Sequence, residues 1–403
     1  MDAREQRGLE IAALLPIKKN GDTYTVPSQT GSGKYEVSPD PEYPRCTCPD
    51  FEHRHKRCKH IFAVEFSIKR EMFTDGETTT VTETRTVKVT YSQDWPAYNE
   101  AQTKEKALFQ SLLFHLCQGI TEPAQTIGRP RLPLADMIFS AAFKIYSTVS
   151  MRRFMSDLRE AHGKGYIAKL PCYNSIFNYL ESETMTPALK ALITQSSLPL
   201  RAIESDFAVD STGFSTSRFV RWFDAKYGKE MAKHEWIKCH AMCGVKTNVV
   251  TAVEISHAYA NDSPYFRKLV RATAENFDMN EVSADKAYSS NFNLVLVGMH
   301  NATPYIPFKS STTGSSASVY WDKMFNYYMY NRDEFMPHYH KRSNIETTFS
   351  MIKAKFGDYL RSKTDTALVN EALLKVLAHN LCCVIQSTFE FGIEPLFNSA
   401  ALN

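Results

Sequence analysis

The stretch YHKRSNIETTFSMIK, residues 339–353, sets one acid among bases at spacings of three, four and seven. At about 100° per residue around a helix, Tyr339, Arg342, Glu346 and Lys353 share a stripe roughly 60° wide. Ile345, Phe349, Ile352 and Phe356 form an adjacent apolar stripe. Such a helix buries one side and aims Glu346 along its edge, with Arg342 above and Lys353 below. A carboxylate between two cations suits a metal site that handles a phosphate backbone: the acid holds the metal and the bases hold neighbouring phosphates. The same residues admit a second reading. Ser343-x-x-Glu346 is a capping box, which would use Glu346 to close a helix start and take Tyr339 out of phase. Pro337 offers an earlier start, since proline is favoured in a first turn.

A single carboxylate does not suffice for two-metal phosphoryl chemistry, because two divalent ions about 3.5–4 Å apart need several shared oxygen ligands. The strand-like run FAVDSTGF offers Asp210 just past its apolar residues, and EVSADKAYSS offers Asp285 in the same way. Each is equally readable as a turn-forming aspartate. Asp206, Asp224 and Asp262 are rival acids that spacing does not remove.

The 403 residues have room for two or three domains, and 43% hydrophobic with 23% charged residues is ordinary for a soluble globular protein. The net charge of +3 points neither to nor away from nucleic acid, since local patches matter more than totals. The chain lacks the uninterrupted apolar run expected of a membrane span. Its charged opening, MDAREQRGLE, lacks a signal-peptide core. A cytoplasmic protein is therefore expected, with its nine cysteines as thiols or metal ligands.

Residues 1–75 read as a small unit with a hairpin across PSQTGSG, a Cys/His cluster and a short helix, IFAVEFSIKREM. Residues 76–96 are polar and Thr-rich, a linker or an edge strand. Residues 97–200 carry apolar residues at helical spacing, broken at Gly163 and Gly165. They read as a packed helical region or a helix-turn-helix that binds DNA. From 201 to 403, β-branched segments followed by long helices at 343–356 and 366–386 indicate an α/β domain. In it, Trp222, Trp236 and Trp321 are expected in the core rather than stacked on a base. Cys239 and Cys243, with His240 between them, are expected as core thiols, since neighbours on a strand point in differing directions.

The cluster CTCPDFEHRHKRCKH pairs Cys46 with Cys48 and Cys58 with His60, each one residue apart. Three thiolates and one imidazole fill a tetrahedral Zn²⁺ site and leave no open position, which makes the site structural. Arg45, Arg54, Lys56, Arg57 and Lys59, with His53 and His55, make the same loop a basic tip. That tip is either a phosphate-contacting surface or a solvated loop. The C-x-C, loop, C-x-H spacing resembles the SWIM zinc finger over about 40 residues.

The segments DSTGF, ADKAY and YHKRSNIETTFSMIK together resemble the catalytic motifs of DDE transposases from prokaryotic insertion sequences. The third matches the Y-x2-R-x3-E-x6-K signature at Tyr339, Arg342, Glu346 and Lys353. The resemblance spans roughly residues 200–390. Ala287 stands where relatives often have glycine, and the 60 residues between Asp285 and Glu346 leave little room for a large β insertion. The resemblance implies an RNase H-like core, a mixed sheet flanked by helices. Asp210 would lie on its first strand, Asp285 at the end of its fourth and Glu346 on a following helix. It implies Asp210, Asp285 and Glu346 as the triad that binds Mg²⁺ or Mn²⁺, and Tyr339, Arg342 and Lys353 as contacts to the DNA backbone. It further implies recognition of terminal inverted repeats, DNA strand cleavage and strand transfer, a dimer on DNA and a nucleoid-associated location. Two other functions fit the residues: a metal-dependent nuclease that cuts without joining, and a non-catalytic DNA-binding protein descended from a mobile element.

Overall fold

The computed structural model describes residues 3–28, 33–40, 43–75, 78–85, 94–125, 127–128, 130–216, 236–309, 312, 318–395 and 397. The chain divides into two compact units, Met1–Gln93 and Asp94–Asn403.

In the first unit, α1 (Ala3–Leu14) precedes a four-stranded antiparallel sheet of β1 (Lys18–Asn20), β2 (Thr23–Pro27), β3 (Lys34–Ser38) and β4 (Arg45–Cys46). The expected hairpin is the β2–β3 pair, with Tyr24 opposite Val37. Next come α2 (Pro49–Arg54) and α3 (Lys59–Ser67), and then β5 (Ile68–Asp75) and β6 (Thr78–Arg85), which pair antiparallel. The helix expected through Met72 thus stops at Ser67, and part of the Thr-rich stretch is a strand. Helix α1 lies so close to α3 that a Cβ at Gly8 would meet Phe62 Cβ at 2.5 Å, which reserves that position for glycine. Ile11, Tyr24, Val26, Val37, Ile61 and Val64 form the core of this unit.

The second unit opens with five helices: α4 (Trp95–Cys117), α5 (Leu134–Ser147), α6 (Met151–Gly163), α7 (Tyr173–Leu180) and α8 (Met185–Ser197). Thr148, at φ 57°, separates α5 from α6. The sheet follows: β7 (Asp206–Ser215), β8 (Trp236–Gly244) and β9 (Val250–His257), then α9 (Ser263–Ala274), β10 (Glu281–Ala284), α10 (Asn291–Met299) and β11 (Thr303–Tyr305). The last helices are α11 (Val319–Tyr330), α12 (Arg332–His340), α13 (Ser343–Phe356) and α14 (Asp365–Phe391). The strand order is β11-β10-β7-β8-β9, with β8 antiparallel to its neighbours and the pairs β7–β10 and β10–β11 parallel.

Alternation along β7 sends its side chains to two cores. Ala208 and Phe214 face a core shared with α4, α5, α8, α13 and α14, whereas Phe207 and Val209 face one shared with α9–α12. The helices of 97–200 therefore bury their apolar stripes in the same core as the sheet rather than in one of their own. Helix α14 is long and apolar enough to cross a membrane, but 89% of its apolar window is buried inside the protein, so its hydrophobicity belongs to the core. Buried Lys375 on α14 donates to the carbonyls of Gly357 and Tyr359, fixing the turn after α13.

The edge strand β9 is protected from α14 by Asn380. Its fully buried amide accepts from Val250 N at 2.8 Å and donates to Val250 O at 2.7 Å, occupying backbone groups an edge leaves open. Asn380→Ala leaves both groups buried and unpaired, so it should destabilise the chain by about 2–3 kcal/mol, read as a lower urea midpoint at unchanged slope.

Candidate functional site

Helix α13 packs against the face of β7 that carries Ala208 and Phe214. Its apolar stripe Ile345, Phe349, Ile352 and Phe356 is buried as expected. The polar edge lies along β7. Arg342 Nη1 donates to Asp210 Oδ2 at 2.6 Å, and Arg342 Nη2 donates to Glu346 Oε1. Lys353 Nζ donates to Thr212 Oγ1 at 2.6 Å, two residues further along the strand. Asp285 directly follows β10, whose Ala284 pairs with Val209, so Asp285 continues beside Asp210 on the neighbouring parallel strand. Strands pair about 4.8 Å apart. Its Oδ1 accepts from Lys286 N.

The local path differs from a single continuous helix. Tyr339 lies in the last turn of α12, and Arg342 precedes α13; the turn between them is tightened by Lys341 N to His338 O and Arg342 N to Tyr339 O. Tyr339 thus reaches the site from a different helix than Glu346. The capping box does not form: Ser343 Oγ donates back to His340 O, and Glu346 turns to Arg342. Pro337 lies inside α12 rather than at its start.

Electrostatics ties these groups together. The carboxyl of Asp210 is held above its usual range by burial, with Asp285 and Glu346 adding repulsion and Arg342 opposing it. Burial also raises the Tyr339 phenol, again with Asp285 and Asp210 adding and Arg342 opposing. The structure therefore brings Asp285, Glu346 and Tyr339 within electrostatic reach of the Asp210–Arg342 pair, and sets Lys353 farther along β7, at Thr212.

The rival acids have other duties. Asp206 accepts from Lys341 Nζ at 2.7 Å, and that ammonium also bonds Glu281 at 2.9 Å, pinning the α12–α13 turn to the starts of β7 and β10. Sequence reading missed this clamp; Lys341, beside Arg342, was its only signal. Asp262 lies on the opposite face of β7, bonded by Ser211 Oγ at 3.0 Å and Lys238 Nζ at 2.6 Å, with His240 Nδ1 at 3.3 Å. Asp224 and Trp222 fall outside the described residues. Cys239 and Cys243 are buried in one core, their thiols pushed up to about 12 by burial. Trp321 packs edge-on to Phe308, but Trp236 is half exposed at the start of β8, against expectation.

In the first unit, Cys46, Cys48, Cys58 and His60 are all buried, and their ligand atoms lie within 4.8 Å of one another. His60 Nδ1 is 3.9 Å from Cys46 Sγ and 4.0 Å from Cys58 Sγ. A zinc tetrahedron with Zn–S near 2.3 Å and Zn–N near 2.0 Å has S···N edges of roughly 3.6 Å. These two edges reach the Zn²⁺ geometry after a few tenths of an ångström of contraction, and three thiols with one imidazole fit the donor set of the ion. Exposed His53 and His55 stay outside it. On the basic tip, Arg54 contacts Asp50 at 3.3 Å and Arg57 contacts Glu65 at 3.4 Å, while Lys56 is exposed. Such surface pairs are worth less than about 1 kcal/mol and yield readily to a phosphate.

Residues 201–381 match the family model described as a transposase DDE domain, and residues 35–69 match that of the SWIM zinc finger. These matches support a DDE transposase domain within the second unit and a SWIM zinc finger within the first. No curated protein matches it. Among similar solved structures is a cryo-EM structure of a piggyBac transposase synaptic complex with hairpin DNA. It is 9% identical, has a TM-score of 0.38, and the match covers 72% of this chain and 77% of that one.

Two outcomes follow from the charges and the cluster. Because the folded pKa of Asp210 lies above its unfolded value, folding binds the proton more tightly. The ionised acid therefore costs stability at neutral pH, and that cost fades as the pH falls through the raised folded value and is gone below about pH 4, where both states are protonated. Asp210→Asn should melt no lower than wild type at pH 7.5, with any gain shrinking towards pH 3.5. Cys58→Ser should lose the bound zinc, measured by elemental analysis, and remove the melting transition of the first unit.

Proposed function

We propose that this chain is a metal-dependent DNA transposase of the prokaryotic insertion-sequence type. In this reading the second unit has an RNase H-like core, with Asp210, Asp285 and Glu346 as its catalytic acids. The observation that carries the reading is Arg342 bonded to Asp210 and Glu346 at once, beside Asp285: one cation already sits among acids drawn from distant parts of the chain. The strand order, with a single antiparallel strand next to β7, supports the fold assignment.

The three carboxylates are hard oxygen donors and suit Mg²⁺ or Mn²⁺. Held by Asp210, Asp285 and Glu346, a pair of such ions would supply activation of an attacking oxygen and charge stabilisation of the leaving one. Asp210 and Asp285 approach from adjacent strands, and Glu346 closes the set from α13. Arg342 exchanges a carboxylate for a DNA phosphate, to which its planar fork binds in the same two-pronged way. Lys353, farther along β7, holds the next phosphate, and Tyr339 lines the approach. The zinc-ordered finger, through Arg54, Lys56 and Arg57, and the helices of 97–200 recognise the terminal inverted repeats. Joining two ends calls for a dimer on DNA.

The test is incubation of the purified chain with end DNA, a target plasmid and Mg²⁺. Wild type should give strand-transfer products, and Glu346→Gln should lower the rate by on the order of a thousandfold or more while binding the DNA within about twofold. Cleavage without joining would make the chain a nuclease. Equal products from wild type and Glu346→Gln would remove the acids from the chemistry.

A further inference from the structure

A cleft of about 740 Å³ opens on the side of β7 opposite the acids. Its wall begins next to them: lining residue Asp262 accepts from Ser211, the neighbour of Asp210, and lining residue Ala287 lies two positions after Asp285. Two exposed aromatic rings, Tyr259 and Phe292, stand in this wall at 85% and 53% exposure. The guanidinium of Arg267 lies 4.8 Å from the Phe292 ring centroid and, among the described residues, has no carboxylate in ion-pair range. Lys238, by contrast, is committed to Asp262 and to the carbonyl of Ala260. Asn293 braces the cleft from below, its amide donating to Ser263 Oγ at 3.1 Å and Tyr288 O at 2.8 Å.

Solvent-facing aromatic rings beside a cation without an acidic partner match the two ends of a nucleotide: a base stacks on a ring and its phosphate pairs with the guanidinium. The volume is that of a small-molecule pocket. A duplex, whose major groove alone is about 12 Å wide, does not enter it. We propose that this cleft binds an unpaired nucleotide of the DNA strand running past the acids, with its base on Phe292 or Tyr259 and its phosphate on Arg267. The inference deepens the transposase reading and takes from it the identity of the strand.

The experiment uses the full chain without added Mg²⁺, fluorescence anisotropy, and three probes: a single-stranded oligonucleotide, a blunt duplex and free dAMP as competitor. Phe292→Ala and Arg267→Ala should each weaken single-strand binding about tenfold, within the range of one lost base stack. Blunt-duplex binding should change less than twofold. Tyr259→Ala, at a more exposed position, serves if Phe292→Ala lowers the melting temperature. Competition by dAMP would indicate that a free nucleotide suffices; its absence would indicate that the strand is needed. Photocrosslinks from 5-iododeoxyuridine should map to Tyr259 or Phe292. Equal losses for both DNA forms, no loss, or crosslinks only outside residues 258–293 would overturn the assignment. Such a failure leaves the Glu346→Gln cleavage assay untouched, and failure of that assay leaves single-strand binding to be read by itself.

Discussion

The contact between α13 and one face of β7 governs the second unit. Every other residue of β7 points at this helix, so the same pairing that buries Ala208 and Phe214 presents Asp210 and Thr212 to Arg342 and Lys353. Burial of Ile345, Phe349, Ile352 and Phe356, at about 1.5–3 kcal/mol each, holds the helix in that register. A one-residue slip of β7 would turn Asp210 to the other core and leave Arg342 without its strand partner.

β7 is polar on both faces at its far end, and the two faces do different work. On one side, burial, with added repulsion from the neighbouring acids, keeps Asp210 above its usual pKa, a state that favours an incoming cation. On the other, Lys238 neutralises Asp262, which also accepts from Ser211. Burial lowers His240 to about 4, so this imidazole stays neutral at physiological pH. These contacts hold the strand directly behind Asp210. Lys341, shared between Asp206 and Glu281, does the same at the strand's start.

The first unit follows another principle. Its core is small, and three of its buried residues are the cysteines that meet His60. In so small a unit a bound metal contributes folding free energy that the apolar core does not supply. The basic tip stands on α2 and the loop before α3, elements whose ends are themselves ligands, so its shape follows the metal.

The sequence by itself determined what is local. Regular spacing predicts α13 and the start of the core helix α14, because side-chain period and helix pitch coincide; the C-x-C and C-x-H pairs predict the ligand set, because adjacent ligands share a short loop. Asp210, Asp285 and Glu346 were legible only through their resemblance to known motifs, since an aspartate after a strand looks the same whether it turns the chain or binds an ion. Tertiary structure alone decided that Asp206 and Asp262 serve as anchors, that Tyr339 and Glu346 sit on separate helices, that the helices of 97–200 share the sheet's core, and that Arg267 and Phe292 line a cleft. These are contacts between residues far apart in the chain, and periodicity carries no information about which distant partner a side chain will meet.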